Sequence, residues 1–589
     1  MRVESVSFPS PHDSIVTMNN LARKVLIREI KNLKCQRKLS SSARLMDSDK
    51  YVISSPIPDV VVPKMRFVDR LWIESASFKH LVAIESAETK KSYTFEQLQK
   101  NSSIFATSLL KKFGLKQGDV VGAVLPNCPE FPVVAFGVLQ SGCKLTTYNP
   151  IYKEYEISHQ SSITEPKLIV TIPQCYENVM KGLKSANVNA KVVVIDIPSM
   201  PIPDGAIRYS EVAENGEIDQ ALLDKVEVKE DDVACIPFSS GTTGLPKGVE
   251  ITYKNLLAGI EIMHTNETSF PRLAHDQSDQ DLLPSFLPFF HIYGLVIGLM
   301  GHLSKGVKLI SMAKFSASMY LDILRTQNVT LLNIVPPVAI LLGKHPDVQE
   351  EHFRHIRHIV CGAAPLAASD VQSIIEKSKR DMEFNQGFGA TETTSLCTST
   401  FKNSKNINYS ACGVPMANFK LKFVDPLTGE PVPIGEQGEM YVKSPTIMKG
   451  YHKNPTATKD SLTEDGYFKT GDLGYYQPGM GLFITDRIKE LIKVKGMQVA
   501  PAELESILRS HPAVADAAVI GVPHEYYGEA PKAFIIKKNG QKTTEEEIQD
   551  FVASKVAVYK KIEEVMFVED IPKTPSGKIL KRELKKMYA

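Results

Sequence analysis

A chain of 589 residues allows about four domains at roughly 150 residues each, or fewer if one large α/β unit absorbs two or three of them. With 43% hydrophobic and 23% charged residues it has the composition of an ordinary globular protein, which excludes collagen, coiled coil and wholesale disorder. The 69 basic and 67 acidic side chains leave a formal charge of +2, so nothing chain-wide marks a nucleic-acid or anionic-membrane partner.

Residues 1–50 differ from the rest. Between Met18 and Met46 lie Arg23, Lys24, Arg28, Lys31, Lys34, Arg37, Lys38 and Arg44, opposed only by Glu29, with Ser40–Ser42 near the end. Two readings fit: an amphipathic, basic, acid-poor transit peptide that would place the protein in the mitochondrial matrix, or a solvated basic tail on a cytoplasmic protein. From about residue 90 helix and strand alternate. Leu98, Phe105 and Leu109 recur at helical spacing, and the apolar run Asp119–Leu125 reads as a strand. A helix through Phe131–Leu139, a strand at Lys144–Tyr148, a helix at Tyr155–Ser162 and a strand at Lys167–Thr171 follow. Repeated β-α-β with continuous apolar strands predicts parallel sheets covered on both faces.

The longest apolar stretch, Phe286–Met300, is broken by Pro288, His291, Gly294 and Gly298 and falls short of the ~20 residues of a membrane helix. The eight cysteines are too few to staple the chain, and their spacing forms no metal-ligand set, so they read as reduced and mostly buried. Near the C-terminus, Ala502–Arg509 reads as a helix and Ala517–Ile520 and Ala533–Ile536 as strands, and Thr544–Glu547 offers a capping box for a further helix. The predicted fold class is therefore α/β. It comprises a basic extension (1–50), a large body of parallel-rich sheets with helices (51–485) and a small, mobile α+β domain (486–589).

Ser239-Ser240-Gly241-Thr242-Thr243-Gly244-Leu245-Pro246-Lys247-Gly248 directly follows the apolar run Val233–Phe238. Its glycines let backbone N–H groups turn inward, its hydroxyls add donors and Lys247 adds a positive charge, a set suited to a polyphosphate. It is not a Walker A loop, because Pro246 precedes the lysine and Gly248 follows it. Further on stand Gln386-Gly387-Phe388-Gly389-Ala390-Thr391-Glu392, Tyr467–Gly474, Asp486–Gly496 and Pro572–Lys578.

Five such segments in this order resemble the adenylate-forming enzymes, the superfamily of acyl-CoA synthetases, 4-coumarate–CoA ligases, beetle luciferases and peptide-synthetase adenylation domains. The resemblance implies an ATP-dependent ligase that turns a carboxylic acid into an acyl-adenylate and then into a coenzyme A thioester; a luciferase-like oxygenase and a nucleotide-binding protein without turnover are the alternatives. It implies that Ser239–Gly244 and Lys247 hold the phosphates, that Glu392 holds Mg²⁺, and that Thr391 donates to a phosphate oxygen. Phe388 would stack on adenine, walled by Ala363 and Ala364 and by Gln386, Gly387 and Gly389, while Asp472 and Arg487 take the ribose. Lys578 serves adenylation, and Lys493 replaces it when the small domain rotates about Lys489. His291 lies beside the acid, whose pocket runs along Ile292, Tyr293, Ile297, Gly362, Ala363, Gly387, Gly389, Thr394 and Leu396; these are mainly apolar or small, implying a hydrocarbon tail, aliphatic or aryl. The chain departs from the coumarate-ligase pattern at Gly438–Ser444 and at Val494, where an aromatic stands between the two lysines of that pattern.

Overall fold

The computed structural model describes residues 51–239, 246–364, 366–394, 396–404, 407–488, 490–494, 497–524, 528–556, 558–574 and 577–588. The basic extension therefore lies outside the described residues. Residues 53–589 make one contact-defined unit.

The predicted β-α-β repeats are present. The strands Val120–Val124, Lys144–Tyr148, Leu168–Thr171 and Lys191–Val194 pair in parallel in a nine-stranded sheet. Every residue of Val120–Val124 is buried, as expected of a strand with helices on both sides. The helix Phe95–Thr107 starts at a capping box in which the Thr94 side chain accepts from Gln97 N–H. Two further sheets complete the α/β part. One carries Leu282–Ser285, Lys308–Ser311, Val82–Ser86 and Ser92–Thr94; the other carries Leu331–Ile334, His358–Cys361, Glu383–Gly389, Leu396–Ser399 and Val414–Pro415.

Antiparallel pairs edge the parallel sheets, and one sheet of the body departs from the expected parallel pattern altogether. Lys420–Val424, Gly438–Lys443, Phe468–Gln477 and Gly481–Arg487, with Ile53–Ser54 on the edge, form a five-stranded sheet that is antiparallel throughout. Its inner face packs Leu421, Phe423, Met440, Val442 and Leu482 into a core of its own. Gly438–Lys443 alternates buried and more exposed positions, where the parallel strand Val120–Val124 is buried throughout.

The C-terminal part folds around separate apolar clusters. Its centre is the antiparallel pair Val514–His524 and Gly528–Lys537, flanked by the helices Pro501–Arg509 and Glu545–Ala553. The capping box at Thr544 is formed: its side chain accepts from Glu547 N–H at 3.2 Å. The seven described cysteines are all free, five buried and two half-buried. Among the described residues no helix is long and apolar enough to cross a membrane.

Candidate active site

Ser239 closes the short strand Phe238–Ser239, which runs antiparallel to Lys247–Thr252. The hairpin so formed presents the phosphate-loop segment, of which Ser240, Gly241, Thr242, Thr243 and Gly244 lie outside the described residues. The Ser239 hydroxyl is buried and finds no partner among the described residues, as suits a donor reserved for a ligand. His159, on the helix Glu154–Thr164, pins the loop's exit through a ring nitrogen 3.1 Å from the Pro246 carbonyl. The Lys247 ammonium lies 4.2 Å from the centroid of the Tyr451 ring. Tyr451 in turn donates to Glu392 Oε1 at 2.9 Å, and burial with the nearby carboxylate raises its phenol's pKa. Tyr451 was not legible as a site residue; it reaches Glu392 only because Val249 pairs with it across strands. Glu392 and the buried Thr391 share a single helical turn whose backbone carbonyl at Glu392 accepts from Met448 N–H at 2.8 Å.

The second group of residues stands on the antiparallel sheet. Asp472 and Arg487 face each other across its last two strands, with Arg487 Nε 2.9 Å from Asp472 Oδ1. Burial pushes the Asp472 carboxyl above its ordinary range, opposed by Arg487 and Lys578. Burial works against the Arg487 charge, yet Asp472, Glu490 and Glu392 outweigh it and raise its pKa. The adenine-wall candidates lie side by side: Ala363 and Ala364 follow the strand His358–Cys361, and Gln386–Gly389 end the adjacent parallel strand, where Cys361 pairs with Gln386. The carboxyl ends of neighbouring parallel strands are where open α/β sheets take ligands. Gln386 is buried, Phe388 half-buried and Gly389 exposed.

Lys578 arrives from the small domain on a tight turn. Thr574 N–H donates to the Lys578 carbonyl at 2.8 Å, and Lys578 N–H donates to Thr574 Oγ1 at 3.0 Å. Gly577 has φ +81°, and a Cβ there would stand 2.9 Å from Cδ of Pro337 in the body. The turn is thus seated directly on the start of the helix Pro336–Lys344. Lys578 is held below its ordinary pKa, first by burial and then by Arg487, with Glu490 and Asp472 opposing. Lys581, one turn on, is half-buried between Glu490 at 3.2 Å and Glu505 at 3.0 Å, which outweigh its loss of solvation and raise its pKa. Asp486 accepts from Ala502 N–H at 3.1 Å, and burial pushes its carboxyl up to about 6. Glu490, Lys581 and Asp486 were likewise missed as functional positions, since charges beside a predicted turn read as solvated. Lys493 lies on the strand Ile492–Val494; its side chain, Lys489 and Lys495 lie outside the described residues.

His291 completes the group, because it lies close enough to Lys578 to feel its charge. Its loop is braced from the neighbouring sheet: Asn127 Nδ2 donates to the carbonyls of Ser285 and Leu287, both at 2.9 Å, and its Oδ1 accepts from Phe289 N–H at 2.8 Å. Thr147 Oγ1 donates to the Phe290 carbonyl at 2.7 Å. Tyr293 N–H donates to His291 Nδ1 at 3.3 Å, which leaves the neutral ring's proton on Nε2. Burial first and the Lys578 charge second push His291 down to about 4. The native state therefore binds fewer protons here than the unfolded chain, whose histidine titrates near ~6.5. The contribution is lost as pH falls from that value toward 4, by up to roughly 3 kcal/mol at about 1.4 per unit. The urea midpoint of the wild type is expected to fall more between pH 7.5 and 4.5 than that of His291→Gln; parallel curves would show that His291 titrates normally.

The acid-pocket candidates also converge. Ile292, Tyr293 and Ile297 are buried at the start of the π-helical segment Tyr293–Gly301. A Cβ on Gly362 would stand 3.6 Å from the Tyr293 ring, and one on Gly387 would stand 3.0 Å from Leu396. The buried Thr394 donates to the Thr446 carbonyl at 2.7 Å.

The profile of the AMP-binding enzyme family matches residues 73–452, and that of the AMP-binding enzyme C-terminal domain matches residues 503–578. The chain is 34% identical over 546 residues to 4-coumarate–CoA ligase 1 of Solanum tuberosum, covering 92% of this chain and 97% of that one. It is 36% identical over 547 residues to 4-coumarate–CoA ligase 1 of Narcissus pseudonarcissus, covering 91% and 96%. Among solved structures, ATP-bound MatB from Rhodopseudomonas palustris superposes with a TM-score of 0.79 at 27% identity, covering 89% of this chain and 98% of that one.

Proposed function

The chain belongs to the AMP-binding enzyme family, and from that premise we propose that it is an AMP-forming acid–CoA ligase whose small domain alternates between two half-reactions. A carboxylate resists attack because of its charge, so the acid must first exchange an oxygen for a better leaving group. One carboxylate oxygen attacks the α-phosphorus of ATP; the bond to the bridging oxygen breaks, and pyrophosphate leaves. The coenzyme A sulfur then attacks the acyl carbon, and AMP departs.

The observation that carries this reading is the approach of Lys578, a half-buried small-domain residue, to His291 of the body and the Asp472–Arg487 pair, close enough for its charge to act on them. An ammonium there neutralises charge that builds between the acid and the α-phosphate, where water is excluded and the interaction is strong. Lys247 and the Ser239 hydroxyl, without a partner among the described residues, serve the leaving phosphates. Asp472 is an acceptor suited to ribose hydroxyls, held in place by Arg487. Neutral His291 offers its Nε2 proton to the acid's carboxylate and bears no charge that would compete with Lys578.

Glu392 fits Mg²⁺: one of its oxygens is fixed by Tyr451, and it stands near Lys247 at the phosphate end. Among the described residues no cluster of three or more acidic, histidine or cysteine groups could hold a metal. A magnesium ion would thus rest on Glu392, water and substrate phosphates, its usual arrangement, and supply charge neutralisation to the pyrophosphate.

Lys578 occupies the space beside the acid, so the second half-reaction requires it to withdraw. A short junction between the body (51–485) and a domain with its own core (486–589) permits that rotation about Lys489, bringing the Lys493 strand to the site. The test is pyrophosphate release across short, medium, long-chain and aryl acids, with thioester formation followed in parallel with and without coenzyme A. Pyrophosphate from at least one acid and thioester only with coenzyme A are expected; adenylate that never passes to the thiol would overturn the reading.

A further inference from the structure

The orientation of the His291 ring depends on its own loop, because the ring's Nδ1 accepts from the backbone N–H of Tyr293 at 3.3 Å. That loop closes on itself. His291 N–H donates to the Pro288 carbonyl at 3.0 Å, and the His291 carbonyl accepts from Leu295 N–H at 2.8 Å. A Cβ on Gly294 would collide with the Pro288 carbonyl, so glycine is needed for this closure. Such a turn fixes its internal shape but not its place, and its place is set from a different sheet.

Asn127, 4% exposed, stands between the strand Val120–Val124 and the helix Glu130–Gln140 of the nine-stranded sheet, whereas the loop leaves Leu282–Ser285 of another. Its two amide hydrogens go to the Ser285 and Leu287 carbonyls and its Oδ1 takes Phe289 N–H, which admits one orientation of the amide. Thr147, on the adjacent parallel strand Lys144–Tyr148, adds a bond to the Phe290 carbonyl. The Asn127 side is itself held: the buried Glu130 lies 2.8 Å from Lys91 Nζ, and the Phe131 ring packs on Phe289 at 5.4 Å between centroids. Two buried side chains thus bond the backbone at Ser285, Leu287, Phe289 and Phe290, directly before His291. If the loop shifted, those buried polar groups would lose their partners, a cost that keeps it where it is.

We infer that Asn127, assisted by Thr147, is a positioning residue for adenylation, holding the His291 loop where the Nε2 proton meets the acid's carboxylate. This rests on the ligase reading above and extends it to a side chain whose amide hydrogens are both spent on backbone. A loop displaced by about 1 Å carries the imidazole out of line with the carboxylate, enough to cost on the order of a hundredfold. The nucleotide candidates stand on other strands, so the loss falls on the acid rather than on ATP.

The experiment follows pyrophosphate release by the full chain with the best-used acid of the panel, varying acid and ATP in turn. Asn127→Ala is expected to lower kcat/KM for the acid by about ten- to a hundredfold, with KM for ATP within about twofold of the wild type. Thr147→Val, of the same shape but one bond short, is expected to lose about two- to tenfold, and Thr147→Ser to recover most of that. The decisive comparison repeats Asn127→Ala and Thr147→Val in a chain carrying His291→Ala. Each is expected to cost less than about twofold there, because the loop has no imidazole left to place. Full losses in that background, equal rises in KM for acid and ATP, or undiminished kcat/KM in the single variants overturn the inference. Should Asn127→Ala fail to fold, the Thr147→Val comparison decides alone. Those outcomes leave the ligase reading standing, since the wild type still forms thioester. Failure of every acid to yield a coenzyme A-dependent thioester with the wild type instead removes the ligase reading, and this inference with it.

Discussion

Replacing Lys578 with alanine is expected to slow acyl-AMP formation by about 10²–10³, the scale for losing one transition-state charge stabiliser, while leaving conversion of supplied acyl-AMP to thioester unchanged. The split follows from where the lysine stands. Its half-buried ammonium acts on His291, Asp472 and Arg487 from the Gly577 turn, which is seated on Pro337. Nothing in the thiol reaction needs it there, and its presence obstructs a second substrate. Pyrophosphate release reads the first half-reaction, and a mixing experiment with preformed adenylate and coenzyme A reads the second. Equal losses in both would show that Lys578 shapes the fold or the nucleotide site rather than one step. Gly577→Ala is the informative companion: it keeps the charge but forces a contact of 2.9 Å at a φ of +81°, so adenylation should fall for want of docking alone.

Asp472→Ala is expected to weaken both ATP and AMP by at least about 10²-fold, since hydrogen bonds to a charged acceptor contribute about 1.5–3 kcal/mol each. A second effect accompanies it. Arg487 loses its 2.9 Å partner and is left facing Glu490 and Glu392 across a partly buried site. Because the Arg487 side chain is 33% exposed, the stability loss should be about 1–3 kcal/mol rather than the larger cost of orphaning a fully buried charge. Titration calorimetry with ATP and AMP, beside urea denaturation, separates the two effects. Unchanged nucleotide affinity with lowered stability would reduce Asp472 to a structural counter-ion.

The parts of this molecule that could be read in advance are those whose signals are local. The continuous apolar run at Val120–Val124 and the capping box at Thr544 depend on residues within a few positions of one another, and both formed as expected. The strands Val514–His524 and Gly528–Lys537 extend well past their apolar cores at Ala517–Ile520 and Ala533–Ile536, because polar residues such as Asp516 and Lys532 continue the pairing. The antiparallel sheet around Asp472 escaped notice for the converse reason: its strands from Lys420 onward are joined by cross-strand contacts, with only the short helix Pro455–Ser461 between them and no regular alternation to set a rhythm. Within the site, motif residues were legible as motifs. Tyr451 beside Lys247 and Glu392, Lys581 between two carboxylates, and Asn127 under the His291 loop were not, since each acquires its partner only through folding.

The reduced cysteines have a practical consequence for watching the enzyme at work. Burial comes first in holding every described thiol above its ordinary pKa, with Cys235 and Cys397 pushed to about 12, so few thiolates are available to an alkylating dye at neutral pH. With Cys35, in the basic extension, exchanged for serine, one cysteine engineered onto the surface of each lobe would become the reactive pair. Fluorescence energy transfer between such labels could then follow the swing of the smaller lobe, turnover by turnover, in an otherwise native chain.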